Sequence, residues 1–240
     1  MLGAADIVLM ILLIIGLIYS LLLKPQAKIV ANDFSYRSLA AYSSKITPEF
    51  NRLSNRNKIS FDEAAVVKSI EKQFPEVQSV RVELPFFSQQ PTVWLSVAAP
   101  AFKLQSGGQS YIVDSQGVVA AKAADLPKLN KLVNINDESG FETGVGKQVI
   151  SADAVNFIDM VIKQSQHAGV PISGLNLPPL AQEMDLRTVD APYYVKFYLG
   201  GDALTQTGQF LASRHNFTQN PAQAPHEYLD VRVSGKIFYK

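Results

Sequence analysis

Hydrophobic patterning takes three forms along this chain. The opening stretch has no period at all. Residues 7–23, beginning at Ile7 and ending at Leu23, read IVLMILLIIGLIYSLLL: seventeen positions without a charge, interrupted only by Gly16, Tyr19 and Ser20. At ~1.5 Å rise per residue, and with Ala4 and Ala5 extending it, such a run approaches the ~20 residues of a membrane-spanning helix. The expectation is a transmembrane signal anchor over residues 7–24 behind a short tail, residues 1–6. A cleaved signal peptide fits less well, because MLGAAD holds no Lys or Arg and only weak cleavage candidates follow the run.

The second pattern is helical. Leu39, Tyr42, Ile46, Phe50 and Leu53 recur at threes and fours, with Pro48 either restarting the helix at a Thr47 cap or kinking it. Ser60 with Glu63 three residues on has the capping-box spacing, and Val66, Val67, Ile70 and Phe74 form the next apolar stripe, closed by Pro75. The third pattern has period two: Val80, Val82 and Leu84 alternate with polar residues over 77–84, and Val93, Leu95 and Val97 do so over 92–98. With a short strand at AKIVAN (27–32), the order is strand, helix, helix, strand, strand. After Gly107-Gly108, residues 110–114 and 117–121 read as a tight hairpin, and 122–147 as a looser connection. A helix capped by Ser151 and stopped at Gly169, strands at 172–177, 183–189 and 193–199, a short helix from Asp202 through Leu211, and a last strand at 227–233 complete the reading. The fold class is therefore α+β: an N-terminal transmembrane helix, a βααββ unit over residues 27–100, and a mixed β domain with flanking helices over 101–240.

Composition narrows the function classes. In 240 residues, 22 Lys and Arg balance 21 Asp and Glu, so no basic field invites nucleic acid. Cysteine is absent, which excludes disulfides and thiol chemistry. His167, His215 and His226 lack metal-ligand spacing. GFETGVGKQ (140–148) misses the phosphate-loop spacing and has Gln148 where Ser or Thr would hold Mg²⁺. Asp62-Glu63 and Asp137-Glu138 are neighbours only in sequence, and no G-x-S-x-G occurs. No catalytic residue, cofactor, metal or small-molecule substrate is expected. Trp94 and the Phe86-Phe87 pair are candidates for either core or partner surface.

The last strand carries more information. Leu229, Val231 and Val233 fall on one side, Tyr228, Asp230 and Arg232 on the other, and few residues follow to cover it. A strand at a sheet edge offers unpaired N–H and C=O groups to a partner strand, whereas an interior strand does not. Pattern alone leaves both positions open.

Together, FPEVQSVRVELPF, PTVWLSV and YIVDSQGVV resemble the POTRA-to-β-domain segment of the FtsQ/DivIB family of bacterial cell-division proteins. The features that carry this are Phe74-Pro75-Glu76-Val77, the Val80-Arg81-Val82 strand, the alternation from Val93 to Val97, and Val113-Asp114-Ser115-Gln116-Gly117. The closing YLDVRVSGKIFYK is similar to the family's Asp-hydrophobic-Arg strand, with Val233 where an aromatic residue is frequent. The resemblance implies a POTRA-like unit, then a β domain, in a non-enzymatic divisome scaffold. It implies partners of the FtsB/FtsL type and other divisome membrane proteins. They would be captured by strand addition over Tyr228, Leu229, Asp230, Val231, Arg232, Val233, Ser234, Gly235 and Lys236. It also implies a single-pass protein of the bacterial plasma membrane at the division site, N-terminus cytoplasmic and large domain outside. Local charge points the other way, since Lys24, Lys28, Arg37 and Lys45 all follow the apolar run. Two alternatives are a POTRA-bearing envelope protein with a chaperone or export-assembly role, and a membrane-tethered cell-wall enzyme.

Overall fold

A computed structural model describes residues 3–86, 88–180 and 182–240. The chain is α+β and divides into two compact units, Met1–Ala98 and Ala99–Lys240.

In the first unit, helix α1 (Ala4–Leu21) precedes strand β1 (Lys28–Ala31), helices α2 (Leu39–Asn51) and α3 (Glu63–Gln73), and strands β2 (Val77–Glu83) and β3 (Thr92–Val97). The strands form a sheet ordered β1-β3-β2, with β1 parallel and β2 antiparallel to the central β3. Tyr42, Ile46 and Phe50 from α2 and Val66 and Ile70 from α3 are buried, as are Val93, Leu95 and Val97 of β3. Helix α2 runs through Pro48 without restarting; its cap is Ser38, whose Oγ accepts the Ala41 N–H at 3.3 Å. Helix α3 is capped by Asp62 rather than Ser60. The Asp62 carboxylate accepts from Ala65 N and puts negative charge at the positive end of the helix, while the Ser60 hydroxyl is turned to Ser54 O.

The expected transmembrane helix needs correction. Among the described residues, no helix is long and apolar enough to cross a membrane. The apolar run is not wholly helical: α1 ends at Leu21, Leu22 pairs with Asn57, and Leu23 is buried, its N–H donating to Arg56 O at 2.8 Å. At the other end, Asp6 lies in the first turn and accepts from Gly3 N. The uncharged helical part, residues 7 to 21, covers roughly 22 Å at 1.5 Å per residue, short of a ~30 Å hydrocarbon core. Its aliphatic side chains, from Ile7 to Ile18, are exposed on every side.

The Phe-Pro-Glu-Val turn closes around a buried carboxylate. Glu76 Oε1 accepts from Arg37 Nε at 2.7 Å and from the Tyr42 hydroxyl at 3.3 Å. The Arg37 guanidinium also lies over the Phe74 ring, 5.5 Å from its centroid. Burial, then the Glu76 charge, pushes the Tyr42 hydroxyl well above its ordinary value, so it stays a donor.

The second unit is built on a nine-stranded mixed sheet. Its strands are β4 (Pro100–Ser106), β5 (Gln109–Asp114), β6 (Val119–Lys122), β7 (Asn134–Asp137), β8 (Ile172–Leu177), β9 (Glu183–Thr188), β10 (Tyr194–Tyr198), β11 (Tyr228–Asp230) and β12 (Phe238–Tyr239). Their order is β12-β11-β10-β9-β8-β7-β4-β5-β6. Strands β4, β7 and β8 are mutually parallel, β9 is antiparallel to β8 and β10, and β11 is parallel to β10. Helices α4 (Ala152–His167) and α5 (Ala203–Gln219) cover one face, and Phe197 of β10 touches both through Phe157 and Phe210. The Asp202 helix thus extends eight residues beyond Leu211.

The Val-Asp-Ser-Gln-Gly hairpin has a local cause. The Asp114 carboxylate accepts from Gln116 N and Val118 N, and Gly117 has φ +78°. A Cβ at Gly117 would lie 2.0 Å from Ile150 O, so both the backbone angle and the close approach require glycine.

Candidate functional site

The C-terminal margin of the nine-stranded sheet holds the residues singled out from the sequence. Tyr228, Leu229 and Asp230 form β11, in register with Tyr194, Val195 and Lys196 of β10. Val231 continues this line, its N–H donating to Lys196 O at 3.2 Å. Leu229 and Val231 are fully buried in the core beneath α4 and α5, while Val233 is exposed. The alternation therefore holds from Tyr228 to Arg232, with Asp230 buried in its ion pair, and fails at Val233, where the chain turns.

Strand β11 is not the edge. The chain returns as β12, antiparallel to β11, with Leu229 opposite Tyr239 and Asp230 opposite Phe238. Tyr228 and Lys240 exchange N–H···O bonds of 3.1 and 3.4 Å. Because antiparallel residues alternate in direction, the N–H and C=O of Tyr239 face outward, away from β11. Phe238 and Tyr239 are about half exposed, and the Tyr239 ring packs edge-on to Phe217 of α5 at 5.5 Å.

The segment from Val233 to Lys236 turns the chain between the two strands, and one side chain shapes it. Gln209 of α5 donates from Nε2 to Val233 O and Lys236 O, both at 3.1 Å, and accepts at Oε1 from Gly235 N at 2.9 Å. Gly235 has φ +73°. Ser234 lies within this turn. Reading the sequence missed Gln209, Phe238 and Tyr239. KIFYK carries no period of two, and nothing local links Gln209 to a turn some 25 residues later.

On the face away from the helices, charge and aromatic rings interleave. Arg232 grips Asp230 with Nε–Oδ1 2.9 Å and Nη2–Oδ2 2.6 Å, and also binds Glu183 of β9. Burial alone would raise the Asp230 carboxyl. The Arg232 guanidinium and backbone N–H outweigh it and hold the group below the ordinary carboxylate value. The same pairing raises Arg232, chiefly through its bond to Asp230. Lys196 Nζ stands 4.9 Å from the Tyr228 ring centroid and 5.5 Å from that of Tyr194, with Arg187 over Tyr194 at 5.1 Å. Burial raises the nearby Asp185 carboxyl, against the opposing pull of Lys196.

Other candidates fall elsewhere. Trp94 is 39% exposed on the first unit's sheet, its Nε1 donating to Glu83 and Arg81 over its ring. Phe86 is exposed, and Phe87 lies outside the described residues. Lys147, of the glycine-rich loop, is paired with Glu142 at 2.7 Å. Among the described residues, no cluster of His, Cys, Asp and Glu is placed to hold a metal ion. No family model and no curated protein matches the chain.

Proposed function

We propose that the chain is a non-enzymatic scaffold of the FtsQ/DivIB kind. It acts at the bacterial division site with its large part extracytoplasmic, and captures FtsB/FtsL-type coiled-coil partners by strand addition. The observation that carries this reading is the sheet margin: a two-residue strand, exposed, with an outward-facing backbone at Tyr239 and aromatic side chains beside it. A strand added there would extend the ladder and gain the half-buried surface of Phe238 and Tyr239. The β1-α2-α3-β2-β3 order, with β1 parallel to central β3, supports the POTRA-like half of the resemblance.

Truncation before Tyr228 would remove Leu229 and Val231 from the core and confound binding with unfolding. The discriminating variants are Tyr239→Pro and backbone N-methylation of Tyr239, each of which removes the outward N–H while leaving the inward ladder intact, whereas deleting β12 would only turn β11 into a new edge. Each is expected to abolish capture of the coiled-coil partners in a pull-down while the far-UV spectrum stays unchanged. Undiminished capture by both would overturn the reading. A fluorescent fusion is expected at mid-cell in dividing cells; uniform envelope staining would favour an export-assembly role instead.

A further inference from the structure

The second unit contains a cavity of about 410 Å³, within the roughly 300–1,000 Å³ typical of small-ligand sites. Its place follows from topology. Strands β4, β7, β8 and β10 run in one direction, and Leu104, Asp137, Leu177 and Leu199 stand at their C-terminal ends. At that end of an open sheet the loops separate and leave a crevice. Leu104, Leu177 and Leu199 are buried and make an apolar floor; Phe141 and Leu180 are exposed at the mouth. One wall is fixed internally. Gln182, in the left-handed region at φ 60°, accepts the Leu199 N–H on its carbonyl at 2.7 Å.

The polar lining is one-sided. Asp137, Asp153 and Glu183 line the cavity, and among the described residues no Lys or Arg does. A second hollow, of about 430 Å³, shares Asp137, Phe141 and Thr143 with it and adds Glu138 and Glu142, again without a basic residue among those described. Two of these carboxylates are neutralised, Glu183 by Arg232 and Glu142 by Lys147. Among the described residues, Asp137, Glu138 and Asp153 make no ion pair. Asp137 is held in place by neutral donors only, Ser106 Oγ at 2.8 Å and Ser139 N and Oγ at 3.0 and 2.6 Å. Asp153 stands in the first turn of α4, whose positive end offsets part of its charge, whereas Asp137 has no cationic partner among the described residues. An apolar floor beneath such a carboxylate is complementary to a cation on a hydrocarbon stem.

We propose that this cavity binds an organic cation: a primary ammonium or guanidinium carried on an apolar stem, the chemistry of a Lys or Arg side chain in a peptide and of a free alkylamine. The stem lies along the leucine floor, and the head pairs with Asp137 and Asp153.

The test is a calorimetric titration of the full chain with hexylammonium, hexanol and hexanoate, repeated on Asp137→Asn and Asp153→Asn. Asp153 is exposed and Asn is isosteric at Asp137, so both variants keep the packing. Hexylammonium is expected to bind, hexanol more weakly and hexanoate not at all. Asp137→Asn is expected to weaken hexylammonium about tenfold, and Asp153→Asn about threefold. A parallel titration with acetyl-Leu-Lys-Leu-amide separates the sources: tighter binding than hexylammonium assigns the site to a peptide side chain, weaker binding to a free amine. Equal affinity for hexanol and hexylammonium, indifference of hexylammonium to both variants, or no binding of either cation would overturn the proposal.

Discussion

Two short strands of the same sheet make an instructive pair. Strand β7 is four residues long, reads Asn-Ile-Asn-Asp, and has one apolar side chain; β12 is two residues long, and both are aromatic. Judged by composition, β12 is the better strand former. Yet β7 is locked between two parallel neighbours, and its Ile135, facing Leu104 on one side and Leu175 on the other, is fully buried although Asn134 and Asn136 are exposed. Strand β12 is paired on one side only and is half exposed. Position in the ladder, rather than propensity, decides which strand is fixed and which can be extended by a newcomer.

The largest expected effect follows from the buried member of the pair. Ile135→Ala opens a cavity at the middle of the sheet and is expected to cost about 2–5 kcal/mol, read as a loss of global stability in denaturant titration. A cost below about 1 kcal/mol would mean that β7 is not a structural keystone.

Next comes the charge clamp beside β12. Because the Asp230 carboxyl is held below its ordinary value, its contribution is complete above that value and is lost as pH falls through the lowered one. Asp230→Asn is expected to destabilise by about 1.5–3 kcal/mol at neutral pH, the range for hydrogen bonds to charged groups. The gap to the unmodified chain should close as pH falls below the ordinary carboxylate range. Burial raises the Asp185 carboxyl and so contributes with the opposite sign; the difference between variant and parent is therefore the quantity to follow. A gap independent of pH would contradict the clamp.

Smaller still is the effect of Gln209→Ala. It removes three hydrogen bonds to an exposed turn and is expected to cost about 1 kcal/mol globally. Locally it should accelerate amide exchange over residues 233–240 and leave β7 unchanged. Equal acceleration at β7 would show that the margin and the centre open together.

The same contrast explains what the sequence disclosed. Helices α3 and α4 were legible because their apolar stripes repeat with the helical period, and β2, β3, β8 and β10 because theirs alternate. Strand β7 was not, since a single Ile between two Asn carries no period; it lay inside what reads as a loose connection. The first apolar run gave its helix but not its end, which is set by Arg56 and Asn57 some 35 residues away. At the candidate site, the burial of Leu229 and Val231 was visible in the alternation. The turn at Val233 was not, because it depends on Gln209. Long-range partners decide such endings, and local pattern does not contain them.

Amide hydrogen exchange on the full chain, alone and with a coiled-coil partner segment, addresses strand addition at β12 most directly. Alone, residues 237–240 are expected to exchange at least about a hundredfold faster than Ile135 and Leu175. With partner bound, Tyr239 and its neighbours should become protected while β7 is unaffected. Bound partner with no protection at residues 237–240 would contradict capture at this edge.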